Sequence, residues 1–184
     1  MLRDVSRRLA QAIRTHGPTL FPEPWQVPLR VPARGLDLVE RLVLLRAAPP
    51  FAQASLTTLA DLARTLREVR FERDALLWSE GDRAGHTLLV VEGLVRCRSR
   101  DGRLDFTFGP GSPVGTLDML AEMPRFFEAR AQTPLLALQG RVEELVDVLE
   151  DNHAMATELL AAITRQLLVL LERGHDAPSQ APSP

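Results

Sequence analysis

The chain has 184 residues, 45% of them hydrophobic, and a formal net charge of −2 at pH 7. It can bury one good core, and it carries no global field that would draw it onto nucleic acid. All 22 basic residues are arginine, which excludes lysine Schiff-base chemistry and a Gly-Lys-Ser/Thr phosphate loop. The lone cysteine, Cys97, excludes an internal disulfide and any four-cysteine metal site built from one chain. The longest apolar run, 167–171, is far short of the about 20 residues a membrane span needs, and Arg3, Arg7 and Arg8 interrupt any N-terminal signal core. These readings predict a soluble cytoplasmic protein.

Residues 2–15 predict an amphipathic helix, with Leu2, Val5, Leu9, Ala12 and Ile13 on one face and Arg3, Arg7 and Arg14 opposite. Five prolines (Pro18, Pro22, Pro24, Pro28 and Pro32) then forbid a continuous helix. They predict an extended strap with Leu20, Phe21, Trp25, Val27 and Leu29 as anchors. A second helix is predicted over 36–46, with Leu38, Leu42 and Leu45 on its stripe, stopped by Pro49-Pro50. Ser55 caps a third through Leu66.

From Glu68 the period shortens to that of strands. Residues 68–72 alternate, 76–78 form a short strand, and 86–92 form a buried one. In 94–100, Val95 and Cys97 turn inward while Arg96 and Arg98 turn outward; Asp101-Gly102 then makes a hairpin turn into 104–108. A short helix follows Gly115, with strands at 126–131 and 135–138. Two helices close the chain: 142–150, then one capped by Asn152 and stopped by Gly174. A Pro/Ser/Ala-rich tail follows and is expected to be disordered.

The order and spacing of these pieces resemble the cyclic-nucleotide-binding domain family, the effector domain of catabolite-activator-type regulators, kinase regulatory subunits and gated channels. The resemblance runs from about Val43 to Glu172. It rests on the leucine-rich helix before the strands, on VRFERDALLWSEGDRAGHTLLVVEGLVRCRSRDGR, on the turn GPGSPVG, and on MPRFFEARA. It implies an α+β fold, an eight-stranded β jelly roll flanked by N-terminal helices and a long C-terminal helix pair, with ligand in the barrel beneath the last helix. The expected division is an N-terminal helix and Pro-rich strap over 1–35, the barrel domain over 36–174, and a tail over 175–184.

The resemblance also implies an anion site at Gly115, Thr116, Leu117, Arg125, Phe126 and Phe127. The family's phosphate-binding segment reads Gly-Glu-Leu, with nine residues from glutamate to arginine and small residues before an alanine. Gly115, Leu117, Arg125 and Ala131 fit, and Thr116 stands nine residues before Arg125. In such a site backbone N–H groups and a guanidinium meet the cyclic phosphate while the glutamate holds the ribose hydroxyl. Thr116 replaces that glutamate, which would weaken binding roughly 10- to 100-fold. Phe126 and Phe127 stand where the family has Ser/Thr and Ala, so an inward phenyl ring would crowd the ligand.

Each of these residues also has a plain structural reading. Arg125 either holds an anion or pairs with Glu122 or Asp118; Thr116 contacts ribose or caps a helix; Phe126 and Phe127 fill the core. His86 reads as a turn or surface residue, and Cys97 as a small core residue. No histidine pair has metal-ligand spacing, and no catalytic constellation stands out, so no enzymatic activity is expected. No cofactor is expected beyond weak binding of a cyclic nucleotide.

In the last helix Leu160, Ile163, Leu167 and Leu170 form a stripe suited to a homodimer contact. The chain shows neither a helix-turn-helix nor a basic stripe, so direct DNA binding is not expected and a protein partner is. The N-terminal helix, with four arginines against one aspartate, would dock on a partner, lie on an anionic membrane, or fold back on its own barrel. The sequence therefore predicts a non-enzymatic regulatory protein with a degenerate nucleotide site, acting through protein contact. The alternatives are a true cyclic-nucleotide sensor using Arg125, and a structural subunit of a larger complex.

Overall fold

The computed structural model describes residues 2–16, 34–48, 51, 54–151 and 156–157. Its eight strands are β1 (Arg67–Phe71), β2 (Leu76–Trp78), β3 (His86–Glu92), β4 (Val95–Arg98), β5 (Asp105–Phe108), β6 (Pro113–Val114), β7 (Glu128–Ala131) and β8 (Leu135–Arg141). They form two four-stranded antiparallel sheets, in the orders β1-β8-β3-β6 and β2-β7-β4-β5. Neighbours in each sheet are mostly distant in sequence, so the chain crosses between sheets and neither can form alone. The buried residues Leu88, Val90, Val95, Cys97, Val114, Ala129, Ala131 and Leu138 belong to one continuous core.

β4 shows the pattern the alternation demanded: Val95 and Cys97 are buried, Arg96 and Arg98 exposed. Arg96 makes a two-pronged contact to Asp105 on β5, at 3.0 and 2.8 Å. The β3-to-β4 turn needs Gly93, whose φ is +91° and whose absent Cβ would lie 2.3 Å from the Pro134 carbonyl oxygen.

Among the described residues five helices lie around the sheets: α1 (Leu2–His16), α2 (Leu38–Ala47), α3 (Leu56–Thr65), α4 (Thr116–Leu120) and α5 (Val142–Asp151). Asp37 and Glu40 form a reciprocal capping box on α2, and the Ser55 hydroxyl accepts the Thr58 N–H to start α3. Arg41 donates to the Leu66 and Ala63 carbonyls at the end of α3, which ties the two helices together. The Glu68 carboxylate accepts from the Leu36 N–H and from Arg70. Burial pushes its pKa up most strongly, but those donors together hold it below the ordinary value.

Several expectations change. α2 buries Leu44 and Leu45 and leaves Leu38 exposed, because a helix with seven aliphatic residues in ten has no unique apolar stripe to read. Phe126 and Phe127 precede β7 and do not form part of it, so strand alternation does not govern them and both are buried. β8 runs on to Arg141, and β6 is a two-residue strand too short to show a period.

The N-terminal helix lies on the barrel. Leu9, Ala10 and Ile13 enter the core, Arg3 pairs with Glu122 at 2.6 Å, and Arg7 donates to the Ala121 carbonyl just past α4. No helix among the described residues is long and apolar enough to cross a membrane. The first helix of the expected C-terminal pair is α5. The second, with Leu160, Ile163, Leu167 and Leu170, lies outside the described residues, as do the strap over 17–33 and the tail.

Candidate functional site

Gly115 follows β6 and caps the start of α4 with φ +76°, a left-handed conformation that glycine adopts without strain. A Cβ there would lie 2.3 Å from Arg125 Nη1 and 3.0 Å from Trp78 Cη2. Two constraints thus fall on one position: the turn requires a positive φ, and the guanidinium requires the space. After α4 the chain turns back through Glu122, also at positive φ, and its backbone is pinned beside the 79–83 turn. There Arg125 N–H donates to the Asp82 carbonyl and Gly81 N–H donates to the Arg125 carbonyl, both at 2.8 Å.

That backbone sends the Arg125 side chain inward. Nη1 donates to the Gly115 carbonyl at 2.9 Å and to Asp118 Oδ1 at 3.0 Å, and Nη2 donates to the His86 carbonyl. The guanidinium carbon sits 4.0 Å from the centroid of the Trp78 ring, a cation–π stack. The side chains of Arg125 and Asp118 are 0% and 1% exposed. Removing both charges from water is costly, and their attraction offsets that cost only while both are present. Burial pushes the Asp118 carboxyl above its usual pKa, with Arg125 pulling it partway back. Asp118 Oδ2 and Arg125 Nε have no hydrogen-bond partner among the described residues.

Aromatic rings close the surroundings. Trp78 Nε1 donates to the Phe127 carbonyl at 3.1 Å. The Phe127 ring meets Phe126 and Phe106 edge-on, with centroids 4.8 and 5.4 Å away. His86 meets Trp78 edge-on at 5.6 Å. Burial first, then the neighbouring Arg125 and Arg141, hold the imidazole pKa below its usual 6.5.

The family model of the cyclic nucleotide-binding domain matches residues 68–152. The N-terminal domain of a transcriptional regulator from Streptomyces coelicolor A3(2) is 30% identical, with 76% of this chain and 96% of that one covered and a TM-score of 0.58. The chain belongs to the cyclic nucleotide-binding domain family. Two further structures share its fold at lower identity. The sensor domain of the transcriptional regulator DNR from Pseudomonas aeruginosa is 18% identical, covering 79% of this chain and 98% of that one, with a TM-score of 0.64. A cyclic nucleotide-binding domain from Methylobacillus flagellatus is 20% identical, covering 79% and 85%, with a TM-score of 0.61. No curated protein matches the chain.

Within this cyclic nucleotide-binding domain the six residues singled out in the sequence divide into three groups. Gly115 and Arg125 touch directly. Thr116 does not cap α4, because Gly115 holds the cap position and the threonine is the first helical residue. Its hydroxyl lies 2.5 Å from that of Thr87; since Thr87 donates onward to the Val114 carbonyl, Thr116 is the donor between them. Leu117 is partly buried against the core, while Phe126 and Phe127 are buried in it.

Of the two internal partners weighed for Arg125, it meets Asp118, while Glu122 pairs with Arg3 on α1. His86 is half-buried and is the first residue of β3, so it stands in a strand and not in a turn. The sequence reading missed Trp78 as the platform under Arg125 and His86 as its carbonyl acceptor. Both lie far from Arg125 in sequence, on strands of different sheets, so no local pattern pointed to them.

Proposed function

We propose that the chain is a non-enzymatic regulatory domain whose nucleotide segment is turned inward, so that signalling proceeds by contact with a protein partner. One observation carries this reading: the arginine at the family's phosphate-binding position spends its guanidinium on Asp118, Gly115 and His86, over Trp78, with no exposed surface. A cyclic phosphate would have to displace Asp118 and break the carbonyl contacts first. Thr116, which replaces the expected glutamate, offers ribose only a neutral oxygen in place of a carboxylate, its proton already given to Thr87. The likeness to domains of transcriptional regulators supports a regulatory role over a catalytic one.

The test is thermal unfolding of the full chain with cyclic AMP, cyclic GMP and cyclic di-GMP. A ligand at 100 times its dissociation constant stabilises by about 2.7 kcal/mol, a readable shift. We expect none at micromolar concentrations. A micromolar cyclic nucleotide that raises the melting temperature, with the rise abolished by Arg125→Ala, overturns the reading in favour of a working sensor.

A further inference from the structure

A groove of about 450 Å³ opens at one end of the β1-β8-β3 ladder, lined by Arg67, Arg83, His86, Gln139, Arg141 and Glu143. The strand register explains the gathering. Arg67 stands opposite Gln139 and His86 opposite Arg141. Directly paired residues share a face of a sheet, as do Gln139 and Arg141 two positions apart. Arg83 arrives from the turn before β3, held by a bridge to Pro124.

All three arginines are exposed. Arg67 shares its charge with Glu144 at 3.5 Å. The guanidiniums of Arg83 and Arg141 have no ion pair or side-chain hydrogen bond among the described residues. Glu143 is the one carboxylate in the lining and Glu144 offsets Arg67 from beside it, so the two guanidiniums of Arg83 and Arg141 face one carboxylate. The volume falls in the ~300–1,000 Å³ range of small-ligand sites. Guanidinium forks match the paired oxygens of a phosphate group.

We propose that this groove binds a small phosphorylated ligand, a phosphomonoester or diphosphate held between Arg83 and Arg141 with Arg67 beside them. The groove shares only His86 with the Arg125 cluster and none of its charged groups, so it stands whether or not the reading of that cluster holds. Nucleoside phosphates and sugar phosphates share this chemistry. His86 joins the two regions: it lines the groove, its carbonyl accepts from Arg125, and its ring meets Trp78. Occupancy therefore reaches the surroundings of a buried tryptophan.

The experiment is titration calorimetry on the full chain at low salt with pyrophosphate, AMP and glucose 6-phosphate, with sulfate as the control anion and tryptophan fluorescence followed in parallel. Saturable binding of pyrophosphate is expected, weakened roughly tenfold or more by Arg83→Gln or by Arg141→Gln and tightened by Glu143→Gln. These surface variants should melt at the wild-type temperature. Tighter binding of AMP assigns a nucleoside phosphate, and tighter binding of glucose 6-phosphate a sugar phosphate. The proposal is overturned if no probe binds saturably at millimolar concentration, if sulfate binds as well as pyrophosphate, or if the arginine variants bind unchanged. Polyglutamate is titrated alongside them, and its binding without binding of the phosphorylated probes also overturns the proposal, in favour of an acidic polypeptide.

Discussion

Arg125 lies on the Trp78 ring with Asp118 against one of its nitrogens, so deleting either charge strands the other where water does not reach. Asp118→Ala should therefore destabilise the fold by about 3–5 kcal/mol, read as a lowered urea midpoint. The double variant Asp118→Ala/Arg125→Met removes both charges and should regain much of that loss. If the two single losses simply add in the double variant, the pair is not coupled and its description as one buried unit is wrong. The sequence offered Asp118 as one of two internal partners for Arg125, because both acids sit within reach along the chain. The choice came from outside the segment: Arg3 on α1 takes up Glu122, leaving Asp118 to face inward.

Helix α1 contributes to the core through Leu9, Ala10 and Ile13 and to the surface through ion pairs such as Arg3–Glu122. These two kinds of contact differ in worth. Leu9→Ala removes a fully buried side chain and should cost about 2–5 kcal/mol, whereas Arg3→Ala breaks an exposed pair and should cost at most about 1 kcal/mol. Denaturant unfolding of both variants checks the contrast; equal small effects would mean that α1 is not seated on α4 in solution. Element by element, the strands with one buried and one exposed face were the readable ones. β2, β3 and β4 fall where alternation and short apolar runs put them, since period 2 is a local property of a half-buried ribbon. The Phe126–Phe127 pair fills the core as expected but lies outside the strand predicted over 126–131, because both rings are buried from a bend, where neither period applies.

Across the whole molecule, His86 and Trp78 bring the two sheets together beside Arg125, and the pH dependence of global stability should report on that junction. The folded imidazole has its pKa held below 6.5 by burial, Arg125 and Arg141, so the unfolded chain binds its proton more readily. The resulting stability is complete above pH 6.5 and is lost as pH falls through the lower folded value. His86→Gln should flatten this part of the profile; variant and wild-type curves of the same shape between pH 7 and 5 would refute the assignment. Sequence alone determined most element types, the inward set of β4, the family, and the departure at Thr116. All of these are local periods or ordered motifs, which a linear string records directly. Tertiary structure alone decided that Arg125 turns onto Trp78 and His86, that α1 lies on α4, and that three arginines from three segments share one groove. Those outcomes depend on strand order and register, and pairings between distant strands are set by the closing of the core, which no window of neighbouring residues contains.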